Sequence, residues 1–178
     1  MCGEQHSELP DGGLEQANKN NHKTKGCLRM DGFEMSIVIN RRIEEVFAFL
    51  SNLENDAKWR REWVDAKKTS EGPVSIGSRF SLFSEVFGKR NEVVYEVANY
   101  EPNHIAAWKT ISGPLPLKFQ RTFEQVEGGT QISFRYEAER DRMPFIFKLL
   151  KPLIVGAGKR ALQGDFPKLK ELMEAHDL

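Results

Sequence analysis

What this 178-residue chain lacks narrows its class before any motif is read. Its two cysteines, Cys2 and Cys27, are too few for a disulfide framework, so a reducing, cytoplasmic setting is the expectation. It carries no excess of charge: Lys plus Arg and Asp plus Glu both number 26, which removes the bulk attraction to phosphate that a nucleic-acid-coating protein needs. Nucleic acid is therefore not an expected partner. No apolar run nears the roughly 20 residues that span a bilayer, and Met1-Cys2-Gly3-Glu4 opens without the pattern of a secretory signal. Of four histidines only His104 and His176 lie beyond residue 32, so no metal site built on imidazole, and no other cofactor, is expected. A nucleophile elbow, a His-Glu-x-x-His pair and a phosphate-cradling loop are missing as well. The run Val155-Gly156-Ala157-Gly158-Lys159-Arg160-Ala161 imitates a dinucleotide fingerprint, but too little chain follows it for a second parallel strand. Its small residues are read as packing a helix on a sheet.

Aromatic residues are absent from the first 32 positions; all twelve Phe, three Trp and three Tyr lie at or after Phe33. A segment so poor in apolar bulk cannot offset the cost of ordering its backbone, so residues 1–32 are expected to be a disordered tail. Residues 33–178 suffice for one domain with its own core.

Within that domain Phe33, Met35, Ile37 and Ile39 alternate with polar residues, as on a half-buried strand. Asn40 is the expected cap of a helix over about 42–50, where Ile43, Val46, Phe47 and Leu50 fall on one face. A short polar helix then leads to Trp59. From Trp63 to Glu139 the period is two, and turn residues divide it into strands near 63–69, 78–86, 91–100, 104–111, 117–126 and 130–138. Links this short require antiparallel neighbours. After Met143 a helical period returns through Phe145, Leu149, Leu150, Leu153, Ala157, Ala161, Leu169, Leu172 and Met173, interrupted by Pro152, Gly156, Gly158, Gly164 and Pro167, which predict a kink or a late start. The expected fold is α+β: a curved seven-stranded antiparallel sheet wrapped on a long C-terminal helix, with two short helices after the first strand. A sheet so curved, closed by one helix, is expected to leave a cavity.

Taking the bulky residues as inward lines that cavity with Phe80, Val93, Tyr95, Trp108, Phe119, Phe123, Phe134 and Tyr136. Arg121 falls in phase with Phe119 and Phe123. A buried arginine needs a partner, so it is expected either to anchor a ligand oxygen or to pair with an interior acid. His104, after the Pro102-Asn103 turn, is a candidate base or an ordinary exposed turn residue. Residues 140–170 combine eight Lys and Arg with two Asp and an apolar run. They are read as a core helix with a basic outer face, the alternative being a membrane- or protein-docking segment at 143–156. Three function classes follow: a binder or transporter of a hydrophobic or amphipathic small molecule, an enzyme stabilising an enolate with Tyr or Arg, and the docking module.

Val46-Phe47-Ala48-Phe49 with Asn55 and Trp59, then Gly77-Ser78-Arg79-Phe80, Tyr100-Glu101-Pro102, Gly128-Gly129-Thr130 and a terminal Leu169-Lys170 with Leu172 and Glu174 follow one another in a telling order. Over about residues 33–177 the chain resembles the START-related helix-grip superfamily, also called SRPBCC, which includes the birch-pollen-allergen-like proteins. Within it the chain is similar to the polyketide cyclase/dehydrase and lipid-transport branch. The resemblance implies the helix-grip fold and an internal site for a hydrophobic small molecule or lipid; some members cyclise or dehydrate polyketides. Asn52 stands where such proteins often carry Asp.

Overall fold

The computed structural model describes residues 32–86, 89–139, 142 and 145–175. The expected tail therefore lies outside the described residues except for Gly32, which opens the first strand. Seven strands, β1 (Gly32–Ile39), β2 (Trp63–Lys68), β3 (Arg79–Val86), β4 (Lys89–Glu101), β5 (Ile105–Ser112), β6 (Leu117–Val126) and β7 (Gly129–Ala138), form one antiparallel sheet in the order β1-β7-β6-β5-β4-β3-β2. Helix α1 (Ile43–Leu50) and a 3-10 helix (Leu53–Lys58) carry the chain from one edge strand to the other, and α2 (Phe145–Glu174) closes the concave face.

Alternation sets which side chains meet there. Cross-strand register places Phe33 opposite Tyr136, Tyr136 opposite Phe119, and Phe119 opposite Trp108. The four rings stack into one ladder, with centroids 5.0, 5.3 and 5.0 Å apart. Register shifts in β4 between Val94 and Tyr95 and between Val97 and Asn99 bend the sheet over this ladder. At the β6–β7 turn Gly129 adopts φ 134°, and a Cβ there would stand 2.1 Å from the Ile39 carbonyl oxygen, so only glycine lets β1 close against the hairpin.

Two local expectations need correction. Asn40 does not cap α1; Arg42 occupies the cap position in extended conformation, and the Asn40 backbone N–H donates instead to Glu174 Oε1 (2.8 Å) at the end of α2. The tight return Arg41 N–H to Ile39 O uses up the residues between strand and helix. Nor does α2 start late: it runs from Phe145 to Glu174, with Pro152 and Pro167 inside it. Both prolines are exposed, where the carbonyls deprived of a donor can meet water. Asn52 caps the 3-10 helix, its Oδ1 accepting from the Glu54 N–H.

Helix α2 grips with only part of its length. Leu162, Phe166, Leu169 and Met173, at intervals of three or four, are buried against the sheet and α1 side of the core. Gly158 allows the approach, since a Cβ there would lie 3.3 Å from the Phe33 ring. Gly158 thus has the packing role read from the false fingerprint, whereas a Cβ at Gly156 would meet open space. Before that crossing Phe145, Leu149, Leu150 and Leu153, expected to pack inward, are exposed instead. The helix has run past the covering sheet. Among the described residues no helix is long and apolar enough to cross a membrane.

Candidate ligand-binding site

Burial along the concave face changes in one direction on three neighbouring strands. On β1 it falls from Ile39, fully buried, through Ile37 and Met35 to half-buried Phe33; on β7 from Ile132 and Phe134 to Tyr136; on β6 from Phe123 and Arg121 to Leu117. One end of the curved face is therefore closed by α1, the 3-10 helix and the second half of α2. The other end, at Phe33, Tyr136 and Leu117, is open to a degree.

The closed end is filled by the chain's own side chains. Phe123 packs edge-on against Phe47 of α1, and Phe134 meets both Trp59 and Phe166. Phe80 and Trp108, also expected as cavity lining, are buried too, but they stand opposite Tyr95 and Phe119, nearer the other end. Arg121 needs a fuller correction. It is 0% exposed, as its phase implied, but its guanidinium does not await a ligand. Nη1 donates to Asp56 Oδ1 (2.9 Å) and to the Leu50 carbonyl (2.5 Å), while Nη2 donates to Asp56 Oδ2. Four rings surround it, Trp59, Trp108, Phe119 and Phe134, each with its centroid within 5.9 Å of Cζ. The bidentate pair fastens the C-terminus of α1 and the 3-10 helix to the sheet. Trp108 Nε1 and Arg121 Nε complete this interior without a hydrogen-bond partner.

Toward the open end stands a second buried cation that the sequence pattern did not reveal. Arg60, 6% exposed, leaves the 3-10 helix with its guanidinium between the rings of Trp59 (5.4 Å) and Trp63 (5.0 Å) and beside Tyr136 (5.9 Å). Nη1 donates to the Tyr136 hydroxyl at 2.8 Å. Tyr136 accepts there, so its own hydrogen remains to donate elsewhere. From α2, Asp165 approaches Arg60 Nε to 3.4 Å without a hydrogen bond and accepts from Arg61 Nε at 3.1 Å. Burial works against the Arg60 charge, but Tyr136 and Asp56 outweigh it and hold the group cationic. Tyr95 stacks on Trp63 and meets Phe119 edge-on. Burial, reinforced by neighbouring Tyr136, pushes its phenol far above the ordinary range, so Tyr95 is a hydrogen-bond donor at any working pH.

Of the residues expected from the sequence, the structure brings Tyr95, Phe119, Tyr136 and, farther along β4, Val93 to the open half, with Phe80 opposite Tyr95 and Trp108 opposite Phe119, and it brings Arg121, Phe123 and Phe134 to the closed half. His104 lies exposed in the β4–β5 turn, its backbone N–H donating to the Glu101 carbonyl and its carbonyl accepting from the Phe123 N–H (2.9 Å). Among the described residues no three His, Cys, Asp or Glu converge to hold a metal. Arg60, Asp56 and Trp63 were missed because they lie in or beside a 3-10 helix too short to show a period or at the start of a strand, and Asp165 because its acid sits within α2 with no sequence neighbour to mark its partners. The one available signal was Trp59-Arg60-Arg61-Glu62-Trp63, two cations flanked by tryptophans.

Comparison with known proteins agrees with this architecture. Solved structures that superpose on the chain include a protein from Thermus thermophilus (TM-score 0.63, 15% identity, covering 78% of this chain and 93% of that one). They also include a START superfamily protein from Mycobacterium smegmatis (0.54, 14%, 77% and 97%) and Ara h 8.0201 (0.56, 16%, 79% and 95%). At such identities the likeness establishes the helix-grip fold. No curated protein matches the sequence. The sequence profile described as polyketide cyclase / dehydrase and lipid transport matches residues 30–174, nearly the whole described domain, and the chain belongs to that family.

Proposed function

We propose that the chain binds, and in that sense can carry, a hydrophobic or amphipathic small molecule at the open end of the concave face. The observation that carries this reading is the coincidence of two gradients: burial falls along β1, β6 and β7 toward Phe33, Leu117 and Tyr136, and at that same end Arg60 and Tyr136 offer donors among aromatic rings. Phe33, Phe119, Tyr136 and Val93 would contact the apolar body of the guest, at about 25 cal/mol for each Å² of apolar surface withdrawn from water. Arg60, Tyr136 and Tyr95 would bind an oxygen acceptor at its polar end. Phe80 and Trp108 flank that wall on neighbouring strands, and the closed half, with Arg121, Phe123 and Phe134, supports it from behind. Membership in a family described by lipid transport favours the same class of guest.

Two dyes test it: the sulfonate 1-anilinonaphthalene-8-sulfonate and the uncharged N-phenyl-1-naphthylamine, titrated into the full chain and followed by dye fluorescence. Both are expected to bind. Arg60→Met is expected to weaken the sulfonate about tenfold, the worth of one charge-assisted hydrogen bond, and the neutral dye much less; Tyr136→Phe should weaken both modestly. If neither dye binds, or if Arg60→Met and Tyr136→Phe, folded by their melting curves, bind the sulfonate as the parent does, the site is misassigned.

A further inference from the structure

We infer that the first turns of α2 are a docking surface for a bilayer bearing anionic lipid. Phe145, Leu149, Leu150 and Leu153 are 83%, 70%, 37% and 65% exposed, an unusual concentration of bare apolar side chains on one helix. At about 100° of turn per residue they share one face. Leu162, Phe166, Leu169 and Met173 share another, and the two faces lie on roughly opposite sides of the helix axis. The exposed residues are therefore not a grip that happens to be loose. They point away from the sheet while the inward face continues through Ile154, Val155 and Gly158, all partly buried.

Charge identifies the occupant. Between positions 142 and 160 the sequence has Arg142, Lys148, Lys151, Lys159 and Arg160 and no acidic residue, although the whole chain is neutral. An apolar helix face within a cationic segment matches the interface of an anionic membrane, where the apolar side chains enter the acyl boundary and the cations meet the headgroups. A second copy meeting the same segment would bring no acidic residue of that segment to offset its cations, which disfavours that alternative. The inference does not depend on the Arg60 site.

The full chain is mixed with vesicles of pure phosphatidylcholine and of phosphatidylcholine rich in phosphatidylglycerol, then sedimented. It is expected to pellet with the anionic vesicles only, and to be released by high salt. Leu149→Ser with Leu153→Ser, both exposed and so expected to leave the melting temperature unchanged, should lower vesicle partitioning about tenfold or more. Lys148→Gln with Lys151→Gln should lower it as well. The double leucine variant should keep its affinity for the two naphthalene dyes, so failure of this surface and failure of the Arg60 site are read separately. No pelleting with anionic vesicles overturns the inference, as does equal pelleting of the leucine variant. So does a parent dimer in light scattering that the leucine variant abolishes without any vesicle binding.

Discussion

Arg121 and Arg60 are both buried cations, and the way each is held decides what each can do. Arg121 spends Nη1 and Nη2 on Asp56 and the Leu50 carbonyl inside a ring of four aromatic side chains. Removing one member of such a pair leaves the other charged and dry, which costs far more than the pair itself contributes. Asp56→Ala is therefore expected to destabilise the fold by about 3–5 kcal/mol in urea unfolding, whereas Asp56→Leu with Arg121→Met should fall within about 1 kcal/mol of the parent or above it. A cost below about 1 kcal/mol for the single change would mean that Arg121 finds another acceptor. The strand period revealed that Arg121 points inward. It could not reveal the partner, because Asp56 lies 65 residues away in a helix too short to show a period. The same blindness hid Arg60.

At the scale of elements, α2 is one helix with two stabilities. Its second half is fixed by Leu162, Phe166, Leu169 and Met173 in the core, by Asp165 between Arg60 and Arg61, and by Glu174 at the start of α1; its first half buries little. Segments with few buried contacts open without global unfolding. Amide exchange is therefore expected to divide near Gly158, with slow protons at 162–173 and fast ones at 149–156. Pro167→Ala, which restores a helical donor in the fixed half, should raise global stability by about 1–3 kcal/mol, while Pro152→Ala should slow local exchange and leave the global midpoint almost unchanged. Equal effects of the two substitutions would show that the halves unfold together. The helical period foretold the element but not this division, because Phe145, Leu149 and Leu153 have the same spacing whether they face a sheet or a membrane. The 3-10 helix is tied to β2 by a titratable bond, Glu54 Oε1 accepting from Lys68 N–H at 3.0 Å. That bond holds the Glu54 carboxyl below the usual range. Its stabilisation is thus complete above the unfolded value, about 4.3, and is lost as pH falls through the lower folded one. Glu54→Gln should cost about 1 kcal/mol at neutral pH and close to nothing in strong acid, measured by denaturant midpoints.

Over the whole molecule the pairing of β2 through β7 was legible because period-two runs joined by short turns pair antiparallel, and the helix-grip arrangement follows from covering their apolar face with a single long helix; the place of β1 beside β7 was not, because no short link joins them. The residues expected to line the cavity do not share one setting along that face. Alternation reports which face a side chain takes, not how deep along the curved face it lies, and depth here separates a packed core from a site. That separation has a direct energetic consequence on a pair of side chains two rungs apart. Phe134, opposite Met35, is fully enclosed by Trp59 and Phe166, whereas Phe33, opposite Tyr136, is half-buried and stacked on one ring. Phe134→Ala removes a buried ring and leaves a void, so it should cost about 3–5 kcal/mol; Phe33→Ala removes contacts that water already shares and should cost less than half as much. The same Phe33→Ala change should weaken N-phenyl-1-naphthylamine, because it strips an aromatic surface from the open end. Equal stability costs for the two rings, with dye binding untouched, would mean that the concave face is sealed along its whole length and that its aromatic ladder serves packing alone.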